Sequence, residues 1–256
     1  MYYKIIKDKI EEEKKRKREM YSLHDEVILK EMLKEINLQF GTSLKYLSEV
    51  EMFTVPGAGK IVSQYFNRFQ SETIRAYLLP WIVSDKIENC ATIVYDAYNH
   101  FKESDEYISA PGKPSPAHIH VRYDNAFIRL KPKRMREKLI LLANNPRDAF
   151  YLPFTVRMLA SWKTPSLEKK LIEYMNSAGI TAESVGITDS EDWYPSIYYI
   201  RRELLFTGIQ GLQYYSSKEA KEEIEKYCNV PDVDIRTAAQ KAMKRVLECG
   251  KKSESL

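Results

Sequence analysis

The sequence predicts an all-α protein, and three observations carry that expectation. The chain has 256 residues but only 9 Gly, against 11 Pro. A nucleotide-binding α/β fold uses more glycines than that at its phosphate turns. Apolar residues also recur at the 3.6-residue helical period in one stretch after another. Several of the prolines stand at the polar breaks between stretches, where they mark helix starts. Apolar residues make up 44% and charged ones 30% of the chain. That mixture excludes a disordered chain. Three Cys exclude a dense disulfide framework.

The elements follow in order. Residues 7–19 are nearly all charged, and Glu11, Glu12 and Glu13 each precede a cation by four residues. This order favours helical ion pairs and predicts a solvated leading helix. Leu29, Leu33, Ile36 and Phe40 form the first apolar stripe, and Tyr46, Val50 and Phe53 the second. Gly57-Ala58-Gly59-Lys60 lacks the spacing of a phosphate loop and reads as a turn before the helix at Ile61. Val62, Tyr65, Phe66 and Phe69 follow, then Ile74, Tyr77, Leu78, Trp81 and Ile82, then Cys90, Ile93, Val94, Ala97, Tyr98 and Phe101.

The Pro-rich break at 104–117 ends in Ser115-Pro116, an N-cap followed by Pro at the first helical position. His118 to Leu130 reads as helix, although Ile119, Val121 and Tyr123 also alternate as in a strand. Lys131-Pro132, Asn145-Pro146 and Thr164-Pro165 each open a helix, the last closing near Gly179. The second of these is read as one helix carrying Phe150, Phe154, Leu159 and Trp162. After a polar connection at 180–194, Pro195 restarts a helix with Ile197, Leu204 and Leu212. Ser216 and Glu219 have capping-box spacing. Asp232 caps a final helix faced by Ile235, Ala239, Ala242 and Val246, and the tail from Gly250 is polar. Three segments result: N-terminal helices over 1–56, repeated helices over 57–248 and the tail at 249–256.

A β-branched residue followed by Arg recurs in alternate helices: Ile74-Arg75, Val121-Arg122, Val156-Arg157, Ile200-Arg201 and Ile235-Arg236. One further helix fits inside each interval, so the unit is a helix pair. The clearest copy runs from Pro231-Asp232 through Ile235-Arg236 to Ala238, Ala239 and Ala242. This resembles the second helix of a HEAT repeat. The resemblance implies a right-handed α-α superhelix, an ARM/HEAT-like solenoid in which Asp232 and Arg236 help link neighbouring repeats by hydrogen bonds. The helix over 195–215 departs from the pattern at Gly208 and Gly211. The alternative architecture is an irregular helical bundle.

Few residues suggest chemistry. His118 and His120 lie two apart, which on a helix points them away from each other, so they read as polar surface rather than as metal ligands. No nucleophile–base arrangement can be assembled, and catalytic residues, cofactor and metal are all expected to be absent. Lys131, Lys133, Arg134, Arg136 and Lys138 form the densest basic cluster. With Arg122 and Arg129 they are candidates for contacting an anion or nucleic acid, provided they share a face. On one α-helix Arg134 and Lys138 would do so and Arg136 would not. Trp162, and the pair Trp193-Tyr194 at the end of a long connection, are candidate groove aromatics.

The leading functional expectation is a non-enzymatic scaffold that presents a groove to a protein or peptide. The alternative is DNA binding. Alkylpurine DNA glycosylases are also built from HEAT-like repeats, but their motif has no residue-by-residue match here. A structural subunit that dimerises through its end repeats is a third reading. No signal-peptide core and no run of about 18 apolar residues occurs, so a soluble, cytoplasmic protein is expected.

Overall fold

Caps and stripes written in the sequence set where the helices begin and end. The computed structural model describes residues 22–47, 49, 55–85, 89–104, 117–176 and 197–253. These residues are helical, with no strand among them. The charged segment 7–19, the start at Ser115-Pro116, Gly179, Pro195 and the Trp193-Tyr194 pair lie outside them. The chain divides into two units, Met1–Tyr107 and Ile108–Leu256. The boundary expected at 56/57 therefore falls inside the first unit.

In the first unit, α1 (Leu23–Phe40), α2 (Gly59–Phe66), α3 (Glu72–Ser84) and α4 (Cys90–Glu103) each pack on the next. Ser22 caps α1 by accepting from the Asp25 amide, and Gly41 ends it at φ 65°. The 3.6-residue stripes become the core: Met32, Ile36, Val62, Phe66, Ile74, Leu78, Trp81, Val94, Tyr98 and Phe101 are all sealed from solvent. The buried carboxylate of Asp25 accepts from the amides of Gln70 at 2.7 Å and Ser71 at 3.0 Å, so α1 holds the entry of α3. The glycine-rich turn is explained the same way. Its Gly57 and Gly59 amides donate to the Asp85 carboxylate, and a side chain at Gly59 would meet the Trp81 carbonyl at 2.6 Å.

In the second unit, α5 (Ala117–Leu130) is followed by a short 3-10 turn, η1 (Lys133–Met135), and α6 (Arg136–Ala143). Then come α7 (Pro146–Tyr151), α8 (Pro153–Ser161), α9 (Pro165–Asn176), α10 (Ile197–Leu212), α11 (Lys218–Glu225) and α12 (Val233–Ser253). The segment expected as one helix after Asn145-Pro146 is two. Pro153 has no N–H to continue α7, so the chain breaks at Leu152 and restarts. Helix α10 is central and touches α7, α8, α9, α11 and α12. Its two glycines, which break the repeat pattern, are the reason α9 can approach. A Cβ at Gly208 would meet Met175 Cγ at 2.5 Å, and one at Gly211 would meet Leu171 at 2.7 Å.

Tyrosine hydroxyls finish several helix ends, where the last carbonyls lack intrahelical partners. Tyr174 donates to the carbonyl of Ala143, the last residue of α6. Tyr227 donates to the Met175 carbonyl at 2.9 Å, in the last turn of α9. The cap of α11 is Ser217, whose hydroxyl accepts from the Ala220 amide at 3.0 Å, not Ser216. Asp232 caps α12 as expected, accepting from the amides of Asp234 and Ile235. Helix α12 runs on to Ser253, so the expected tail starts within it.

The Ile/Val–Arg steps share one local job in three copies. Arg75 donates to the Phe69 carbonyl, Arg157 to that of Pro153 and Arg236 to that of Val230, so each guanidinium folds back on the segment that leads into or opens its helix. Asp232 also binds Arg202 of α10 at 3.2 Å. The Val121 copy differs, because its apolar member is exposed.

Candidate basic groove

The candidate site lies in the second unit, where two helix ends meet solvent. The first is the exit of α5. Lys131 ends that helix in the left-handed conformation, φ 46°, with its amide on the Phe127 carbonyl at 2.9 Å. Pro132 then leads into η1. Side chains three apart nearly eclipse in a 3-10 helix, and the Arg136 amide bonds the Lys133 carbonyl there. Lys133 and Arg136 consequently reach one side. Arg134 and Lys138, expected to share a face with each other and not with Arg136, are not among the residues that line the groove with Arg136.

The second end is that of α8. Trp162 is its C-cap residue, and Lys163 follows at φ 53°. Glycine is the usual residue at such a left-handed helix end. This corner is firmly held. The Thr164 hydroxyl donates to the Leu159 carbonyl at 3.1 Å, and Tyr215 donates to the Thr164 carbonyl at 2.8 Å. Thr164 and Tyr215 are both buried.

Between these ends Lys133, Arg136, Ser161, Trp162 and Lys163 line a groove of about 330 Å³. Three cations, one half-exposed indole and one hydroxyl thus share a concave surface, with no carboxylate among the lining residues. Arg136 does pair with Glu137 at 3.2 Å on its outer side, but both are exposed, and such pairs contribute little.

Of the residues expected from sequence, the groove brings together Lys133 and Trp162. Lys131, Arg134 and Lys138 are exposed on the same short η1–α6 segment, and Arg129 is exposed in the last turn of α5. Arg122 is half-buried on α5. Ser161 and Lys163 were not foreseen. The signal for Lys163 was its place directly after a tryptophan and before Thr164-Pro165, a helix end that exposes whatever side chain it carries. The expected aromatic pair, Trp193 and Tyr194, lies outside the described residues.

His120 is a correction. It is fully buried rather than surface, and its ring stacks on Tyr151 at 3.9 Å with planes 5° apart. The helix turns it inward with Tyr123 and Phe127, a face that the pairing with His118 concealed. Among the described residues no group of three His, Cys, Asp or Glu is placed to hold a metal, and no helix is long and apolar enough to cross a membrane.

Charge separates by unit. The first has 16 Lys and Arg against 18 Asp and Glu; the second has 24 against 18. From Arg129 to Lys138 there are six cations and one acid. Two of the five acids in α5–α9, Asp124 and Asp148, are buried. Asp124 accepts from the Phe154 and Thr155 amides and the Thr155 hydroxyl, holding the start of α8. The modest overall charge of +4 thus conceals a concentrated positive surface.

No protein-family model, curated protein or solved structure matches this chain.

Proposed function

We propose that the chain is a non-enzymatic binding protein whose second unit holds a nucleic acid along the Lys133–Arg136–Lys163 groove. The observation that carries this reading is the convergence of those three cations on Trp162 in a groove lined by no acid. Phosphates recruit Lys and Arg, and their binding releases counterions, which makes affinity fall steeply with salt. The flanking Arg129, Lys131, Arg134 and Lys138 extend the positive surface over which a polyanion can lie. The Arg-closed turns and the Asp232–Arg202 bond support the further proposal that the helices form a HEAT-like solenoid, the architecture such elongated surfaces require.

The test is binding of a short labelled oligonucleotide across a salt series. Affinity should fall by about tenfold or more between low and moderate salt. Joint replacement of Lys133 and Lys163 by Glu should remove most of the affinity and flatten the salt dependence. Salt-independent or absent binding refutes the reading.

A protein or peptide partner is the second reading, and a different groove favours it. Between α10 and α12, Phe206, Gln210, Thr237 and Ala238 are flanked by Arg202, Glu203, Asp234 and Lys241. That surface carries both charge signs and an apolar floor, which suits a peptide backbone with mixed side chains better than a polyanion. Substitutions confined to Phe206 and Ala238 would impair a peptide partner and spare an oligonucleotide.

A further inference from the structure

We infer that the basic groove selects single-stranded nucleic acid, with one base stacked on the Trp162 indole while the neighbouring phosphates sit on Lys133, Arg136 and Lys163. This deepens the nucleic-acid reading above and rests on it.

The lining groups recognise different parts of a nucleic acid. The three cations recognise phosphate and would serve a duplex, a single strand or any other polyanion equally well. The indole does not recognise phosphate. Trp162 is half-buried and lines the same groove as the cations, and an apolar ring there is best covered by another flat π-face. In a duplex every base face is already stacked on its neighbours. In a single strand the faces are free, and stacking on aromatic side chains is the general way proteins hold such strands. The groove, at about 330 Å³, falls in the range of roughly 300–1,000 Å³ that takes a small organic group.

The corner is also built to keep the indole in place. Trp162 donates its amide to Leu159, and Lys163 to Ala160. The buried Thr164–Tyr215 bond fixes the chain just beyond. The backbone that carries Trp162 is therefore held on both sides. Lys163 follows Trp162 with a left-handed backbone, a conformation costly for any residue but glycine. The other wall comes from Lys133, which opens η1, and Arg136, which opens α6.

The test uses three probes on the full chain: oligothymidylate, an abasic phosphodiester of the same length and a duplex of the same length. Oligothymidylate should bind tightest and quench tryptophan emission. Trp162→Phe should abolish that part of the quench and Trp193→Phe should retain it, Trp81 being buried in the first unit. Trp162→Leu should weaken oligothymidylate by about tenfold while leaving the abasic probe unchanged. Trp162→Phe, which keeps an aromatic face, should lose less affinity than Trp162→Leu, so a general packing defect is distinguishable. Equal or tighter duplex binding, or an unchanged affinity in Trp162→Leu, overturns the stacking inference while the polyanion reading stands. Failure of all three probes to bind in a salt-dependent way overturns both.

Discussion

In the first unit Trp81 is sealed in the core of α3; in the second Trp162 stands half-exposed at the end of α8 beside three cations. The ionic groups divide in the same manner. Arg75 of the first unit is buried, donating to the Phe69 carbonyl and pairing with buried Glu72 at 2.9 Å. Lys133, Arg134 and Lys163 of the second are exposed. Yet both units use an inward carboxylate for the same structural task. Asp25 holds the amides that lead into α3, and Asp124 those that open α8. The difference teaches where function can reside. Where both signs are turned inward, charge is consumed in holding helices together. Where acids are buried and bases left outside, a net field remains for a partner to sense.

The sharpest way to separate the units is to remove the two inward carboxylates in turn. Asp25→Ala leaves the Gln70 and Ser71 amides without their acceptor and should cost about 3 kcal/mol. Amide hydrogen exchange should then accelerate in α1 and α3, with oligonucleotide affinity unchanged. A loss of binding from this substitution would mean that the first unit contributes to the site. Asp124→Ala should cost a similar amount, disorder the start of α8 and weaken binding by displacing Trp162.

Asp124 also gives a pH signature. Burial pushes its carboxyl above the ordinary value near 3.8, outweighing the bonds from Thr155 and Phe154 and the pull of Arg157, which lower it. The folded chain therefore holds the proton more tightly than the unfolded one. Asp124's contribution is greatest below the unfolded value and declines as pH rises through the elevated folded one. Measured by thermal unfolding, the stability of Asp124→Asn relative to wild type should thus improve between pH 4 and pH 7. A relative decline over that window would mean that the carboxylate is ionised more readily than its burial implies.

A smaller effect tests packing. Gly208→Ala places a methyl group against Met175 and the Leu171 carbonyl, and overpacking of this kind costs about 1–3 kcal/mol. The α9–α10 contact should loosen, seen as faster exchange in those helices, while the groove between η1 and α8 keeps its affinity. A tolerated Gly208→Leu would show that α9 and α10 do not pack closely.

Much of the fold was legible because helical periodicity is a local signal. The stripes at Leu29–Ile36, Ile74–Ile82 and Cys90–Phe101 became buried faces, and Asp232 capped as its position required. The failures have one common cause, namely that tertiary partners decide what local pattern leaves open. The local face His120 shares with Tyr123 and Phe127 was masked by His118, and Tyr151, thirty-one residues away, supplies the stacking partner. Gly208 and Gly211 are intelligible only with α9 in place. The basic cluster was visible as composition, but which of its members share a groove with Trp162 depends on how α6 and α8 pack. Lys163 escaped because it belongs to another helix, and only the fold carries it to Lys133.

The gentlest test concerns Lys163 itself, and it sets stability against binding at a single position. A non-glycine residue in the left-handed region carries a cost of about 1–2 kcal/mol. Glycine removes that cost but has more freedom to lose on folding, worth about 0.4–1 kcal/mol. Lys163→Gly should therefore stabilise the second unit by about 0.5–1 kcal/mol, raising its melting temperature slightly. The same change deletes one of three groove cations and should weaken oligonucleotide binding several-fold, with a shallower salt dependence. Asn89, the left-handed residue before α4 of the first unit, provides the control, because Asn89→Gly should leave binding untouched. A Lys163→Gly protein that is more stable and binds as well as wild type would mean that the lysine is not placed there for a ligand. One that is more stable and binds less well shows a strained backbone kept for the charge it positions.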